Sequence, residues 1–177
     1  MDRPDAELVE AACRGDLTSF GLLYERHYRM AVGIARGRLS DRHLAEDAAQ
    51  EAFAIACRTL ATLRDRRRFP QWLGTICRRT ASRIDANRPP YKPLPDEPAP
   101  AGDGDLPSLR LHVQDALERL EATSREIVTL HYFSGLSYDE IGRALGLSAQ
   151  SVHGRLQRAR RKLAQILDAR DSTGAKT

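Results

Sequence analysis

Residues 88–107, RPPYKPLPDEPAPAGDGDLP, hold seven of the nine prolines in the chain, and only Pro4 and Pro70 lie elsewhere. Proline lacks a backbone donor and fixes φ, so neither a helix nor a central strand can run through such a segment. Asp96, Glu97, Asp103 and Asp105 make it acidic, and Gly102 and Gly104 loosen its second half. It is expected to be a linker, partly extended and partly flexible. A chain of 177 residues cut at this point must fold as two small units, 1–87 and 108–170, with a disordered tail at 171–177.

Both flanking blocks carry the 3.6-residue apolar period of helices, and neither shows a strand signal. In the first block, Leu8, Ala11 and Ala12 mark a short helix that stops at Gly15. Phe20, Leu23, Tyr24, His27, Ala31, Ile34 and Ala35 then trace a long amphipathic helix. A third helix spans about His43 to Leu63, with Ala49, Phe53, Ala56, Leu60 and Leu63 facing inward. A basic loop, RDRRRF, leads to Pro70 at a first helical position. The fourth helix turns Leu73, Ile76, Cys77, Thr80, Ala81 and Ile84 inward. That leaves Thr75, Arg78, Arg79, Ser82 and Arg83 on a cationic outer side. The fold class is therefore all-α.

The second block carries Leu109, Val113, Leu117 and Leu120, then Ile127, Val128, Leu130 and Phe133. Thr123 and Glu126 have capping-box spacing, which places a helix start there, and Gly135 ends that helix. Residues 136–163, LSYDEIGRALGLSAQSVHGRLQRARRKL, read as a helix-turn-helix. Ile141, Ala144 and Leu145 face inward from the first helix, Gly146 permits the positive φ of a sharp turn, and Ser148 caps the second helix. On a wheel Val152, Leu156, Ala159 and Leu163 gather on one side. Gln150, Gly154, Gln157, Arg158 and Arg161 gather on the other, with Ser151 and His153 flanking. Arg155, Arg158, Arg160, Arg161 and Lys162 have no acid between them to answer their charge. A basic helix face is often merely solvated, but solvated helices usually mix signs. Small polar side chains suit base edges and the following cations suit phosphates, so the missing counter-charge is assigned to DNA.

The bulk properties limit the function classes. Net charge is +4 and only three of the 28 cations are lysines; arginine is the better residue for bidentate phosphate and base contacts. The three cysteines, Cys13, Cys57 and Cys77, form no CxxC or Cys/His set and are expected to be reduced, buried apolar groups in a cytoplasmic protein. No apolar run approaches the ~20 residues of a membrane span. No Gly-rich phosphate loop, metal-ligand cluster or nucleophile constellation is present, so no catalytic residue, cofactor or metal is expected.

Four motifs occur in order: LAEDAAQEAF at 44–53, FPQWLGTICRRTASRIDANR at 69–88, the proline-rich break, and the helical run from Ala116 to Leu163. In this order and spacing the chain resembles an extracytoplasmic-function (ECF) sigma factor of bacterial RNA polymerase, from about Asp5 to Leu167. The resemblance implies a region 2-like domain and a region 4-like domain with no chemistry of their own. It implies that Glu46, Asp47, Gln50 and Glu51 dock on core RNA polymerase at the β′ clamp helices, with the β subunit as a further contact. It implies that Arg64, Arg66, Arg67, Arg68, Arg78, Arg79 and Arg83 open and read the −10 element of promoter DNA. It implies that Gln150, Ser151, His153, Gly154, Arg155, Gln157, Arg158 and Arg161 read the −35 element. Trp72 is expected to pack rather than stack on bases. An anti-sigma partner is a further expectation from the family; the residues themselves name none. Arg79 and Arg83 stand where Asn and Asp are usual, His153 and Gly154 where Lys/Arg and Ser are common, and Glu121 where Pro is usual.

A stand-alone helix-turn-helix regulator, binding a two-fold operator as a dimer, is the alternative. It would bind duplex tightly without polymerase, and it leaves the acidic helix and the basic loop without a role.

Overall fold

A computed structural model describes residues 3–87, 113 and 115–174, and among these there are helices and no strands. The N-terminal unit holds α1 (Asp5–Cys13), α2 (Leu17–Arg36), α3 (Arg42–Thr59) and α4 (Phe69–Ala86). Single 3-10 turns at Leu60–Thr62 and Arg66–Arg68 join α3 to α4. The C-terminal unit holds α5 (Ala122–Tyr132), α6 (Tyr138–Leu145) and α7 (Ala149–Gly174). The proline-rich segment expected at 88–107 lies outside the described residues; of the helix expected to follow it, residues 113 and 115–118 are described and helical.

Local chemistry sets the helix starts. The Asp16 carboxylate accepts the backbone N–H groups of Thr18 at 3.0 Å and Ser19 at 3.2 Å, and Asp41 does the same for His43 at 2.8 Å and Leu44 at 3.2 Å. Each cap satisfies donors that a helix leaves open and puts negative charge at the positive end of its dipole. The Asp16 carboxyl is held below its ordinary range by bonds from the Ser19 hydroxyl and backbone. Helix α3 packs through Ala45, Ala48, Ala49, Ala52 and Ala56, all wholly buried. Their methyls let α2 and α4 approach closely, and Phe53, Leu73 and Phe69 fill the remaining space. Pro70 sits in the first turn of α4, as its missing donor favours. Trp72 packs beside Phe69, ring centroids 6.1 Å apart.

Two expected boundaries move. The helix expected to reach Leu63 tightens into a 3-10 turn after Thr59. Helix α5 starts at Ala122, not after Thr123, because the Glu121 carboxylate takes the capping role and accepts the Thr123 N–H at 3.2 Å. The expected Thr123/Glu126 capping box does not form. A capping box does form one helix later: the Ser137 hydroxyl accepts the Glu140 N–H at 3.3 Å, and the Glu140 carboxylate accepts the Ser137 N–H at 2.8 Å. Helix α7 continues to Gly174, beyond the expected end of the domain at 170.

The two units share one apolar core. Leu23, Met30, Ile34 and Leu73 of the first half join Ile127, Leu130, Ile141 and Val152 of the second in a single buried cluster. Helix α5 lies against α2, and α6 lies against α4.

Candidate nucleic-acid interface

The helix-turn-helix is built as its sequence dictates. Gly146 ends α6 with φ +70°, in the left-handed region where an L side chain is strained. Its N–H bonds the carbonyl of Gly142. The Ser148 hydroxyl then accepts the Ser151 N–H at 3.1 Å and opens α7. Val152, Leu156 and Ala159 anchor α7 in the core, which fixes its opposite face outward. Gln150, His153, Gln157, Arg158 and Arg161 are exposed, and Ser151, Gly154 and Arg155 are half-buried. The His153 ring lies 5.4 Å from the ring of Tyr138, and its Nε2 is 3.0 Å from the Gln157 amide nitrogen. Among the described residues, no ion pair involves Arg155, Arg158, Arg160, Arg161 or Lys162. At 26 residues α7 is about 39 Å long, at about 1.5 Å per residue, and its residues 155–162 present an unanswered positive stripe.

The seven arginines of the N-terminal half are placed differently. Arg64, Arg67 and Arg79 are exposed and make no ion pair among the described residues. Arg66 donates to the carbonyl of Leu63. Arg68 pairs with Asp65 at 3.5 Å, and Arg83 pairs with Glu51 of α3. Arg78 was expected on the outer face of α4. It instead points at the second half of the molecule and donates to Glu126 of α5 at 2.9 Å, with that carboxylate only 12% exposed. Arg67 and Arg68 line a cleft of about 510 Å³ with Asp139, Arg143 and Ser148 of the second half. The cationic set is therefore present but partly engaged within the chain.

The acidic strip on α3 is likewise half-engaged. Arg42 donates to Glu46 at 2.8 Å and holds its carboxyl below the ordinary range. Glu51 is held by Arg83, while Asp47 and Gln50 face solvent. The i,i+4 spacing that put these residues on one face is preserved; the partner across to α4 has no sequence signal.

The remaining polar residues have structural partners. His27 is 11% exposed, with Nε2 2.8 Å from Asp5 and its ring 5.4 Å from Phe69. Among the described residues no group of three His, Cys, Asp or Glu side chains is placed to hold a metal, and no helix is long and apolar enough to cross a membrane. Of the cysteines expected to be buried, only Cys77 is; Cys13 and Cys57 are exposed. They occupy outward helix positions where no apolar neighbour covers them, whereas burial pushes the Cys77 thiol up to about 12. Glu126 is the residue the sequence hid best. Its spacing from Thr123 suits a cap, and only the packed fold reveals the arginine 48 positions earlier that takes it.

An acidic helix face, a basic loop and a helix-turn-helix on two small all-α units define the two-domain class of sigma-70 proteins. The family described as Sigma-70 region 2 matches residues 23–84, and that described as Sigma-70, region 4 matches residues 110–163. The sigma factor CarQ of Myxococcus xanthus is 33% identical over 159 residues, covering 86% of this chain and 91% of CarQ. The ECF sigma factor SigM of Mycobacterium tuberculosis is 32% identical over 170 residues, covering 94% and 86%. A solved structure of CnrH in complex with the cytosolic domain of CnrY superposes with a TM-score of 0.65 at 28% identity, over 93% of this chain and 97% of that one. The chain belongs to the ECF family of RNA polymerase sigma factors.

Proposed function

We propose that this protein is a cytoplasmic transcription initiation factor that mounts on core RNA polymerase and directs it to promoters through two DNA contacts. The α3 face of Glu46, Asp47, Gln50 and Glu51 docks on the polymerase. Residues 1–87 contact the −10 element through Arg64, Arg66, Arg67, Arg68, Arg78, Arg79 and Arg83. Residues 108–170 read the −35 element through Gln150, Ser151, His153, Gly154, Arg155, Gln157, Arg158 and Arg161, and 88–107 tethers the two. Strand opening needs a cationic track for the separated backbone, which the basic loop supplies. Two weak contacts joined on one machine gain from effective concentration, so each domain can be small. An anti-sigma protein is the expected regulator; the similar CnrH is solved in complex with the cytosolic domain of a second protein, CnrY, which supports a regulatory partner.

The observation that carries this reading is the exposed stripe from Gln150 to Lys162, whose cations no acid of the described chain neutralises. The test is run-off transcription with core polymerase on genomic promoter fragments. Initiation that depends on added protein supports the reading. Tight binding to a palindromic duplex without polymerase, and no directed initiation, would establish the stand-alone regulator instead.

A further inference from the structure

Among the cations of α7's outward face stands one polar pair joined side chain to side chain. His153 and Gln157 lie one turn apart, both exposed, with the His153 Nε2 3.0 Å from the Gln157 amide nitrogen. An amide nitrogen has no lone pair to accept with, so it donates and the imidazole Nε2 accepts, which leaves the ring proton on Nδ1. Two exposed side chains would ordinarily exchange such a bond with water, but this imidazole is backed by other rings. It lies 5.4 Å from the Tyr138 ring, and Tyr138 lies 5.2 Å from the ring of His131 on α5. His131 donates from Nδ1 to the Leu136 carbonyl at 3.1 Å, and Tyr138 packs against the core. A ladder of three rings thus runs from α5 through the first residue of α6 to the face of α7. It fixes the direction in which His153 can accept.

Fixing His153 decides what Gln157 can offer. With one amide N–H spent on the imidazole, Gln157 keeps a second N–H and its Oε1 acceptor. That donor and acceptor match N7 and the N6 amino group of adenine in the major groove. Turned over, the amide would accept from His153 through Oε1 and present N–H groups alone, which suits the N7 and O6 acceptors of guanine instead. Gly154 on the same face adds no bulk: beyond its chain neighbours, the nearest side-chain atom that a Cβ there would meet is the Arg158 Nη1, at 3.6 Å. A base edge therefore has room to reach the amide, and the exposed Arg158 and Arg161 beside it suit the flanking phosphates.

We propose that Gln157 reads an adenine of the −35 element, and that His153, held in place by Tyr138, sets the orientation of the Gln157 amide. Gln157 is then the specificity-determining contact, with His153 and Tyr138 as positioning residues that act through it. The proposal rests on the sigma-factor reading above and deepens it by naming the base and the device that selects it.

The test is run-off transcription with core polymerase on a library made from a genomic promoter the protein transcribes, randomised across the −35 element and barcoded within the transcript. Gln157→Ala should abolish base preference at one position, which locates the base it reads. At that position the parent protein should favour adenine roughly tenfold or more. His153→Ala should reduce this to a few-fold at the same position. His153→Lys, which can only donate, should turn the amide and move the preference from adenine to guanine. Tyr138→Phe keeps the ring and should keep the preference, whereas Tyr138→Leu should weaken it. A loss of folded protein would lower all library members alike, so the ratio between bases separates positioning from stability. A parent that favours another base at the Gln157 position overturns the proposal. So does a His153→Ala protein that keeps the full adenine preference there, or that alters only a different position. If no genomic promoter and no library member is transcribed by the parent protein, the sigma-factor reading is what has failed.

Discussion

The two surfaces proposed to face DNA are built from the same side chain and left in opposite conditions. On α7 the cations stand outward with no internal acid, anchored from behind by Val152, Leu156 and Ala159. On the basic loop and α4, Arg66, Arg68, Arg78 and Arg83 already have partners inside the chain. Arginine content alone thus says little about availability. A guanidinium bound to a carboxylate must exchange that bond for one to phosphate, and the exchange returns only the difference between the two. The surface proposed for the −35 element stands free of internal partners; the one proposed for the −10 element is partly engaged.

The largest effect that sharpens this contrast is a charge reversal on the ready surface. Arg158→Glu with Arg161→Glu should lower run-off transcription from a −35-containing promoter by roughly 100-fold or more, at about 1–3 kcal/mol per lost contact. Circular dichroism and melting temperature should stay unchanged, because both side chains face water. An equal loss of transcription from a promoter lacking any −35 element would show that α7 does not read DNA.

Neighbouring arginines on α4 give the next test. Arg78→Ala leaves the mostly buried Glu126 carboxylate without its ion-pair partner. Breaking a fully buried pair costs about 3–5 kcal/mol, and the 26% exposure of Arg78 reduces that to about 1–3 kcal/mol. Arg79→Ala, one residue on and exposed, should stay within about 0.5 kcal/mol. Denaturant unfolding of both variants measures the difference; equal midpoints would remove the distinction between engaged and available cations.

The turn of the helix-turn-helix should respond about as strongly as the weaker end of that range. Gly146→Ala must hold an L residue at φ +70°, at about 1–2 kcal/mol, and its methyl would also meet the Gln71 amide, 2.3 Å from the ideal Cβ. Gly146→Asn should recover part of the backbone strain, since Asn visits this region more readily. Unfolding midpoints that did not distinguish the two variants would argue against a left-handed residue here.

Most of the architecture was legible because the helices are periodic and most of them open on a capping side chain. Gly146, Ser148 and the Val152/Leu156/Ala159 stripe mark the helix-turn-helix in the sequence itself, and Pro70 marks the start of α4. The errors share one cause. Thr123/Glu126 matched a local motif, yet Glu126 is claimed by Arg78, and Glu121 fills the vacancy at the helix end. Arg78 fell on the polar side of its own helical wheel, but a wheel cannot show that another domain lies there. Cys13 and Cys57 were assigned to the interior on residue type alone, and the helix faces they occupy are exposed. Local spacing encodes caps and faces; contacts between residues 48 positions apart depend on how two finished units meet.

The smallest expected effect separates two carboxylates that look alike on paper. Asp5 is paired with Arg26 and His27 inside the first unit, and Glu126 with Arg78 across the contact between the two units, with Arg38 nearby. Burial works to raise both. At Asp5 the hydrogen bonds and charges of His27 and Arg26 prevail and hold the carboxyl below its ordinary 3.8. At Glu126 burial prevails over Arg78, and the carboxyl is raised above its ordinary 4.5. The signs of the pH dependence are therefore opposite. The stability Asp5 contributes is present above 3.8 and is lost as pH falls through its lowered folded value. That of Glu126 is fully present below 4.5 and is lost as pH rises through its raised value. Mild acidification should thus tighten the contact between the two units while the first unit stays folded. Carbon-detected NMR titration of the two carboxyls should show Asp5 titrating below its free value and Glu126 above it. A Glu126 that titrates below 4.5 would mean that Arg78 outweighs burial, so that acid loosens the contact between the two units.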